Sequence, residues 1–248
     1  MKKIFLFALS AMFLTTSCNR NNDFRFDFEY PDLYCFATVV AVDAQPATDS
    51  DQDGDENIAD IYFRLDSQET FIVTENVSKT NLDDLEVGKR VITGVTLTDK
   101  SDSSYNYTAK LFEVVDVLVG QSLTITDEQQ SDSIANHQLS YIAKDITLTL
   151  GYLNLLTGVV TEKQDDIKFY LVDNQCGEKD AYLYLELRYD SASQEGKGTK
   201  VEQYVSFDME SYREQLEGKK GVILSVNTEK SGDTTVIVNS TDLFLDEE

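Results

Sequence analysis

Gly88–Asp99, with the sequence GKRVITGVTLTD, is a long run in which Val, Ile, Leu and Thr dominate. These residue types favour strands, so the run predicts one long strand. Four further strands are predicted around it. They are LYCFATVVAVD (33–43), ADIYFRLD (59–66), ETFIVTE (69–75) and YTAKLFEVVDVLVG (107–120). Five strands within about 90 residues, one of them long, favour a small OB-like β-barrel.

The second half of the chain predicts a different all-β domain. Six apolar segments follow one another at short intervals, separated by polar turns. They are ITLTLGYLNLLTGVV (146–160), IKFYLVDN (167–174), AYLYLELRYD (181–190), EQYVSFDM (202–209), GVILSVNTE (221–229) and TTVIVNSTDLFL (234–245). This spacing is typical of an antiparallel β-sandwich.

Between the two domains, Gln121–Asn136 is polar and low in apolar residues, which favours an inter-domain connector. Met209–Glu217 predicts one helical turn, with Tyr212 and Leu216 on one side and Gly218 as its stop. The predicted organisation is therefore all-β. It comprises a signal peptide (1–17), a tether (18–27), a barrel (28–120), a connector (121–140) and a sandwich (141–248).

The first eighteen residues, MKKIFLFALSAMFLTTSC, have the pattern of an export signal. Lys2 and Lys3 precede an apolar run, Ile4–Leu14, which is shorter than the roughly 20 residues that span a bilayer. Ser17 followed by Cys18 resembles the lipobox of bacterial lipoproteins, although Thr15 stands where leucine is usual. The resemblance implies a lipid on Cys18 and an outer-membrane lipoprotein, on a membrane face that the sequence does not decide. The alternative is an ordinary signal peptide.

The charge of the chain excludes one class of partner. The formal net charge is -24, and loss of Lys2 and Lys3 with the signal makes it about -26. Such a surface repels nucleic acid and anionic headgroups, so nucleic-acid binding is not expected. Hydrophobic residues make up 41% of the chain, which is enough to form a core.

The order of several segments resembles the NigD-like lipoproteins of Bacteroidales. The segments are FATVV (36–40), GKRVITGVTL (88–97), YLNLLTGVV (152–160), AYLYLELRYD (181–190) and YVSFDMESY (204–212). The resemblance covers nearly the whole mature chain and implies an N-terminal OB-type domain and a C-terminal β-sandwich. The family is named from a bacteriocin operon, which implies a role in immunity as one candidate function. The family has no catalytic motif, so none is transferred.

One acidic loop predicts a weak calcium site, with Ca²⁺ as the only candidate cofactor. Counted from Asp49, its oxygen-bearing residues fall at positions of an EF-type loop, with Gly54 at the sharp turn. The candidate ligands are Asp49, Asp51, Asp53, Asp55, Asn57 and Asp60. The match is incomplete, since position 12 is aspartate and no helix flanks the loop. The alternative is a solvated hairpin tip.

Other candidate sites are weaker. Tyr105, Tyr107, Phe63 and Phe71 are candidate stacking residues for an oligosaccharide on the barrel, although strand spacing favours core positions for half of them. His137 is the only histidine, and its position in the connector favours a surface residue over a catalytic base.

Two serines are candidate glycosylation sites, and two cysteines are candidate free thiols. Ser133 and Ser191 follow aspartate in triplets that resemble the O-glycosylation acceptor of exported Bacteroidetes proteins. Cys35 and Cys176 lie far apart in sequence, which favours free thiols over a disulfide.

These observations predict a lipid-anchored cell-envelope protein that binds a partner and is not an enzyme. Its acidic surface suits a basic partner, as in self-protection against a secreted toxin. The alternative is an accessory glycan-binding lipoprotein of the outer membrane. That alternative predicts an exposed aromatic platform.

Overall fold

The computed structural model describes residues 29–41, 61–100, 105–125, 128–149, 151–163, 166–173, 181–191 and 197–239. The unit Pro31–Glu248 holds both a barrel and a sandwich. Among the described residues, no helix has the length and apolar character needed to cross a membrane.

Five strands form the N-terminal barrel, which is closed in the order β1-β2-β3-β5-β4. They are β1 (Leu33–Ala41), β2 (Ile61–Leu65), β3 (Thr70–Asn76), β4 (Arg90–Lys100) and β5 (Tyr107–Asp116). β3 and β5 run parallel, and the other neighbours are antiparallel. A short 3-10 turn, Leu82–Asp84, precedes β4. The predicted OB-like barrel is confirmed.

The barrel core consists of side chains that point inward at alternate strand positions. Its buried members are Ala37, Val39, Phe63, Leu65, Phe71, Leu85, Val91, Val95, Ala109 and Leu111. The rings of Phe63 and Phe71 stack with centroids 5.1 Å apart. Both rings are fully buried, as strand spacing favoured for half of the candidate stacking residues, so neither ring is available to a ligand.

Two sheets form the C-terminal sandwich. The first has the order β6-β13-β10-β8, with β9 also paired to β10, and the second has the order β15-β14-β12-β11-β7. The strands are β6 (Leu118–Val119), β7 (Gln121–Thr124), β8 (Tyr141–Ile142), β9 (Thr147–Thr149), β10 (Tyr152–Thr161), β11 (Lys168–Asp173), β12 (Leu183–Asp190), β13 (Thr199–Asp208), β14 (Gly221–Thr228) and β15 (Gly232–Asn239). The predicted all-β class with a sandwich is confirmed.

The antiparallel pairing predicted for the sandwich holds for most of its strand pairs. β6 with β13, β7 with β11 and β12 with β14 run parallel instead. The segment ITLTLGYLNLLTGVV, predicted as one strand, forms β9 and β10. Gly151 lies between them with a φ of +97°, a conformation that glycine adopts readily and that reverses the chain.

The chain passes from barrel to sandwich without a free linker. β5 ends at Asp116 and β6 begins at Leu118, and β7 then joins the other sheet after Gly120. Gln121–Thr124, predicted as part of a connector, is therefore a strand. A short edge strand of this kind needs only backbone pairing, so its polar sequence carries no hydrophobic periodicity.

The described part of the sandwich domain also contains two short helices, α1 (Glu128–Asp132) and α2 (Arg213–Leu216). A 3-10 turn, Glu210–Tyr212, leads into α2, and Gly218 follows with a φ of +73°. The predicted helical turn is confirmed. Tyr212 and Leu216 are both buried in the sandwich core.

Candidate functional site

Four strands form the junction between the two domains. β1 and β4 place Thr38 and Arg90 opposite each other on the outer face of the barrel. β10 and β13 place Asn154 and Ser206 opposite each other on the outer face of the sandwich. All four residues are buried, because these outer faces pack against one another.

The guanidinium of Arg90 lies at the centre of the junction and is 2% exposed. It forms a two-point ion pair with Asp66, with Nη1–Oδ1 at 2.6 Å and Nη2–Oδ2 at 3.0 Å. The remaining N–H groups donate to Thr38 Oγ1 at 2.9 Å, Asn154 Oδ1 at 3.1 Å and Ser206 Oγ at 3.3 Å. All five guanidinium donors are therefore used, on partners from both domains.

We define the Arg90 cluster as Thr38, Asp66, Arg90, Asn154 and Ser206. Three of its members are also hydrogen-bonded to one another. Asn154 Nδ2 donates to Asp66 Oδ2 at 2.6 Å, and Ser206 Oγ donates to Asn154 Oδ1 at 2.5 Å. The ring of Tyr152 lies 3.8 Å from Arg90 Cζ, in a cation–π contact. Removal of Arg90, Asp66 or Asn154 would therefore leave buried polar groups without their hydrogen-bond partners.

An aromatic contact extends the junction beyond the Arg90 cluster. Phe36 and Tyr204 meet edge to face, with ring centroids 6.2 Å apart and an interplanar angle of 75°. Phe36 precedes Thr38 by two residues and Tyr204 precedes Ser206 by two, so each shares the outer face of its sheet. A further step of two along each strand leads to Tyr34 and Glu202, both of which are exposed.

In the barrel, Tyr34, Gly94 and Glu113 form a row across the adjacent strands β1, β4 and β5. The ring of Tyr34 lies over Gly94, since a Cβ atom there would be 2.9 Å from Tyr34 Cε1. Partial burial, together with the charge of Glu113 and a hydrogen bond to it, raises the pKa of Tyr34. The side chain of Tyr34 is 61% exposed.

The sandwich repeats this row with Tyr141, Gly158 and Glu202 on β8, β10 and β13. A Cβ atom on Gly158 would collide with the ring of Tyr141. The Tyr141 hydroxyl donates to Glu202 Oε1 at 2.6 Å. Partial burial and this carboxylate raise the pKa of Tyr141 to about 12, and the side chain is 37% exposed.

Tyr204 connects the two rows. It lies two residues from Glu202 on the same face of β13, and its ring contacts Phe36, which lies two residues from Tyr34 on β1. We define the tyrosine surface as Tyr34, Tyr141, Tyr204, Glu113 and Glu202. It offers tyrosine rings and carboxylates from both domains at the exposed margin of the junction. Such a surface can stack against a flat apolar face and accept hydrogen bonds at its edges.

A cleft of about 250 Å³ lies beside the Arg90 cluster. It is lined by Thr38, Arg64, Leu65, Asp66, Gln68, Gly151, Tyr152, Asp208 and Glu210. Gln68 has a φ of +72°, in the left-handed region. The cleft shares Thr38 and Asp66 with the residues around Arg90, so it borders the junction.

His137 and Ser191 come together in the structure, which their separation in sequence did not predict. His137 Nδ1 lies 3.0 Å from Ser191 Oγ and accepts the Ser191 backbone N–H at 3.1 Å. Ser191 is 1% exposed, so a substrate cannot reach its hydroxyl, and glycosylation there would have to precede folding. Ser133 is exposed and stays a candidate for glycosylation.

The remaining predicted sites fall partly outside the described residues. Cys18, the acidic loop Asp49–Asp60 and Cys176 all lie there. Cys35 is a free thiol, and burial raises its pKa. In the part of the chain that the structure describes, no three His, Cys, Asp or Glu side chains are grouped to hold a metal.

Sequence reasoning missed the tyrosine surface, although one signal for it was available. Gly94 and Gly158 each interrupt an otherwise β-branched and apolar strand. Glycine inside a strand often marks the close approach of another group, and here that group is a tyrosine ring. The identity of the tyrosine could not be read from the sequence, because it depends on the strand register.

Comparison with known proteins gives a match to one family. The sequence profile of the NigD-like C-terminal beta sandwich domain matches residues 121–240. This match confirms the resemblance to NigD-like proteins and starts at β7, inside the segment that was predicted as a connector. No curated protein matches the chain.

Several solved structures share the fold. A protein of unknown function from Bacteroides vulgatus is 26% identical, with a TM-score of 0.65 over 84% of this chain and 90% of that one. A NigD-like immunity protein from Bacteroides caccae is 16% identical, with a TM-score of 0.55 over 84% of this chain and 94% of that one. A candidate lipoprotein from Bacteroides fragilis is 8% identical, with a TM-score of 0.56 over 85% of this chain and 99% of that one.

Proposed function

We propose that this chain, whose C-terminal β-sandwich matches the NigD-like family, is a lipid-anchored binding protein of the bacterial cell envelope. The lipid would be carried by Cys18, at the end of the export signal, and the protein would lie at the outer membrane. The likeness to a candidate lipoprotein of Bacteroides fragilis supports this location.

The observation that carries the binding role is the tyrosine surface. Exposed tyrosine and carboxylate side chains from two domains lie on one face, and the Arg90 cluster fixes the domains relative to each other. Rigid aromatic side chains contribute strongly to binding, since little conformational entropy is lost when a ligand contacts them. Binding is thus the role that this geometry supports best.

Catalysis is not part of the proposal. The only histidine of the chain, His137, accepts a backbone N–H at Nδ1, and the serine beside it is buried. A NigD-like protein of known structure, from Bacteroides caccae, is described as an immunity protein. A binding role therefore fits both the described residues and the family.

Two experiments in the native host test the proposal. Metabolic labelling with a clickable fatty acid should label the wild type and not Cys18→Ala. Photo-crosslinking tests binding, with benzoylphenylalanine placed at position 34 and, as a control, at position 182. Tyr182 lies on the second sheet of the sandwich, with its hydroxyl bonded to Asn239. Adducts at position 34 alone are expected. Absence of the lipid label, or equal crosslinking at both positions, would contradict the proposal.

Neutralisation of a basic toxin is a second candidate function. The net charge of -24 and the shared fold with the immunity protein of Bacteroides caccae favour it. A strain that lacks the gene should then become sensitive to a basic bacteriocin, and the wild-type gene should restore resistance. Unchanged sensitivity in the deleted strain would count against this role.

A further inference from the structure

We propose that the tyrosine surface binds a neutral glycan chain that extends over both domains. This inference rests on the proposed binding function and names the ligand of that site. A glycan has two chemical faces, since the C–H bonds of each sugar ring form a flat apolar face and its hydroxyl groups form a polar edge. The tyrosine surface has aromatic rings that can pack on the apolar face and carboxylates that can accept hydrogen bonds from the polar edge.

The tyrosine rings provide flat surfaces on which the apolar face of a sugar can stack. Tyr34 lies on Gly94 and Tyr141 lies on Gly158, so the backbone of a neighbouring strand supports one face of each ring. The side chains are nevertheless 61% and 37% exposed, which leaves ring surface available to a ligand. A ring supported in this way keeps its orientation, so little entropy is lost on stacking.

The carboxylates provide the polar part. Glu202 accepts the hydroxyl of Tyr141 at 2.6 Å through Oε1, and Glu113 has the corresponding position beside Tyr34. An ionised carboxylate has several lone pairs, so each glutamate can also accept hydrogen bonds from sugar hydroxyls. Because the tyrosine hydroxyls are already engaged, the rings offer mainly their faces to a ligand.

The same carboxylates select against charged glycans. Uronic acid or sulfate groups would approach Glu113 and Glu202 on a protein with a net charge of -24. Like charges at such distances are repulsive, so a neutral glycan is favoured. The net negative charge would attract basic partners over the whole surface. A preference for neutral over anionic glycans is therefore a property by which the glycan site can be distinguished from that general attraction.

The two rows require a ligand longer than one sugar. They belong to different domains, and the contact between Phe36 and Tyr204 lies between them. The Arg90 cluster holds the domains in one arrangement, so the spacing of the rows is fixed. We therefore expect a single sugar to bind much more weakly than an oligosaccharide of the same type.

The test measures binding of defined oligosaccharides to the full lipidated chain in detergent micelles. The probes are neutral hexaoses of glucose, mannose, galactose and xylose, with oligogalacturonate as the anionic comparison. The chain has no tryptophan, so tyrosine fluorescence can be followed without interference from it, and calorimetry provides an independent measure of binding. At least one neutral hexaose should bind, and oligogalacturonate should not.

Matched variants assign the binding to the tyrosine surface. Tyr34→Ala and Tyr141→Ala should each weaken binding about tenfold, because each removes one stacking ring. Tyr34→Phe and Tyr141→Phe keep the rings and should retain most of the affinity. Tyr182→Ala, on the second sheet, should leave affinity unchanged. The circular dichroism of each variant shows whether it is folded.

Three results would overturn the inference. These are absence of binding to every neutral hexaose, equal affinity in the alanine variants, and tighter binding of oligogalacturonate. Different results would contradict the proposed envelope function. Loss of the fatty-acid label contradicts the anchor whatever the glycan result, whereas a labelled, crosslinking protein that binds no hexaose keeps the function and loses the glycan.

Discussion

The hydroxyl of Tyr141 reaches across Gly158 to donate a 2.6 Å hydrogen bond to Glu202, two strands away in the same sheet. The barrel places Tyr34, Gly94 and Glu113 in the same order across three strands. The barrel and the sandwich differ in topology, but each has a tyrosine, a glycine and a glutamate in the same order across three strands near the junction. Both glycines have the same structural role, which is to leave room for a ring.

Gly158→Ala should displace the ring of Tyr141 and break its hydrogen bond to Glu202. The added methyl group has no space under the ring, and overpacking of this kind typically costs about 1–3 kcal/mol. Without its bond to Glu202, the pKa of Tyr141 should fall from about 12 towards the usual value for tyrosine. Chemical denaturation and the ultraviolet titration of tyrosinate measure the two effects. Tyr141→Phe is the control, because it removes the hydrogen bond and the titration of Tyr141 without adding a methyl group under the ring. An unchanged tyrosinate titration in Gly158→Ala would contradict this account.

Arg90→Met should destabilise the protein by roughly 3–5 kcal/mol, because it leaves the carboxylate of Asp66 buried without its partner. The double variant Arg90→Met/Asp66→Leu should be more stable than the single one, since no buried charge remains. Lys89→Met is the matched control. Lys89 pairs with Asp116 at 2.8 Å on the surface, and such pairs contribute about 1 kcal/mol or less.

Urea denaturation of the three variants provides the measurement. If Arg90→Met and Lys89→Met cost the same, the Arg90 cluster does not stabilise the junction. A separate, earlier transition for one domain in Arg90→Met would show directly that the cluster couples the two domains.

The stability of the fold should decrease as the pH rises from about 10 to about 12. Burial raises the pKa of Tyr189 and of Tyr212 to about 12, above the value of an unfolded tyrosine. The folded state therefore holds these protons more tightly. Their contribution is complete below the unfolded pKa and is lost as the pH rises through the folded one. Thermal denaturation across this range measures the loss. In Tyr189→Phe, thermal stability should decrease less steeply with pH between about 10 and about 12. The same pH dependence in this variant and in the wild type would contradict the prediction.

Ca²⁺ should bind to the acidic loop weakly, with a dissociation constant of about 10⁻⁴ to 10⁻³ M. The prediction depends on the spacing of Asp49, Asp51, Asp53 and Asp60, so Asp51→Asn/Asp53→Asn should abolish the heat of binding. Glu210→Gln/Glu214→Gln removes the same charge elsewhere and serves as the control. Calorimetry at millimolar Ca²⁺ tests this, and an absence of heat from the wild type would eliminate the site.

The fold could be predicted because its signals are local. Runs such as Gly88–Asp99 carry enough β-branched and apolar residues to mark a strand regardless of what it packs against. The helical turn before Gly218 was also marked by its own residues. By contrast, β7 pairs through its backbone with β11, and a polar sequence of four residues shows no trace of that pairing.

The candidate site was harder to predict because it depends on contacts between residues far apart in sequence. Asp66 is one of 45 acidic residues, and nothing in its neighbourhood distinguishes the one that pairs with Arg90. The pairing of His137 with Ser191 likewise follows from the way the chain crosses the sandwich. Only the tyrosine rows left a sequence signal, at the two glycines.

All five N–H groups of the Arg90 guanidinium are hydrogen-bonded, to partners from both domains. This arrangement limits which fragments and domain exchanges of the protein can be stable. A fragment that begins at residue 121 would lack β6 and would expose Asn154 and Ser206 to solvent without their arginine. We therefore expect a fragment with the boundary of the matched family domain to be less stable than the same residues in the whole chain. Exchange of the sandwich between relatives would succeed only together with a barrel that supplies the arginine, so the two domains are expected to be inherited as a pair.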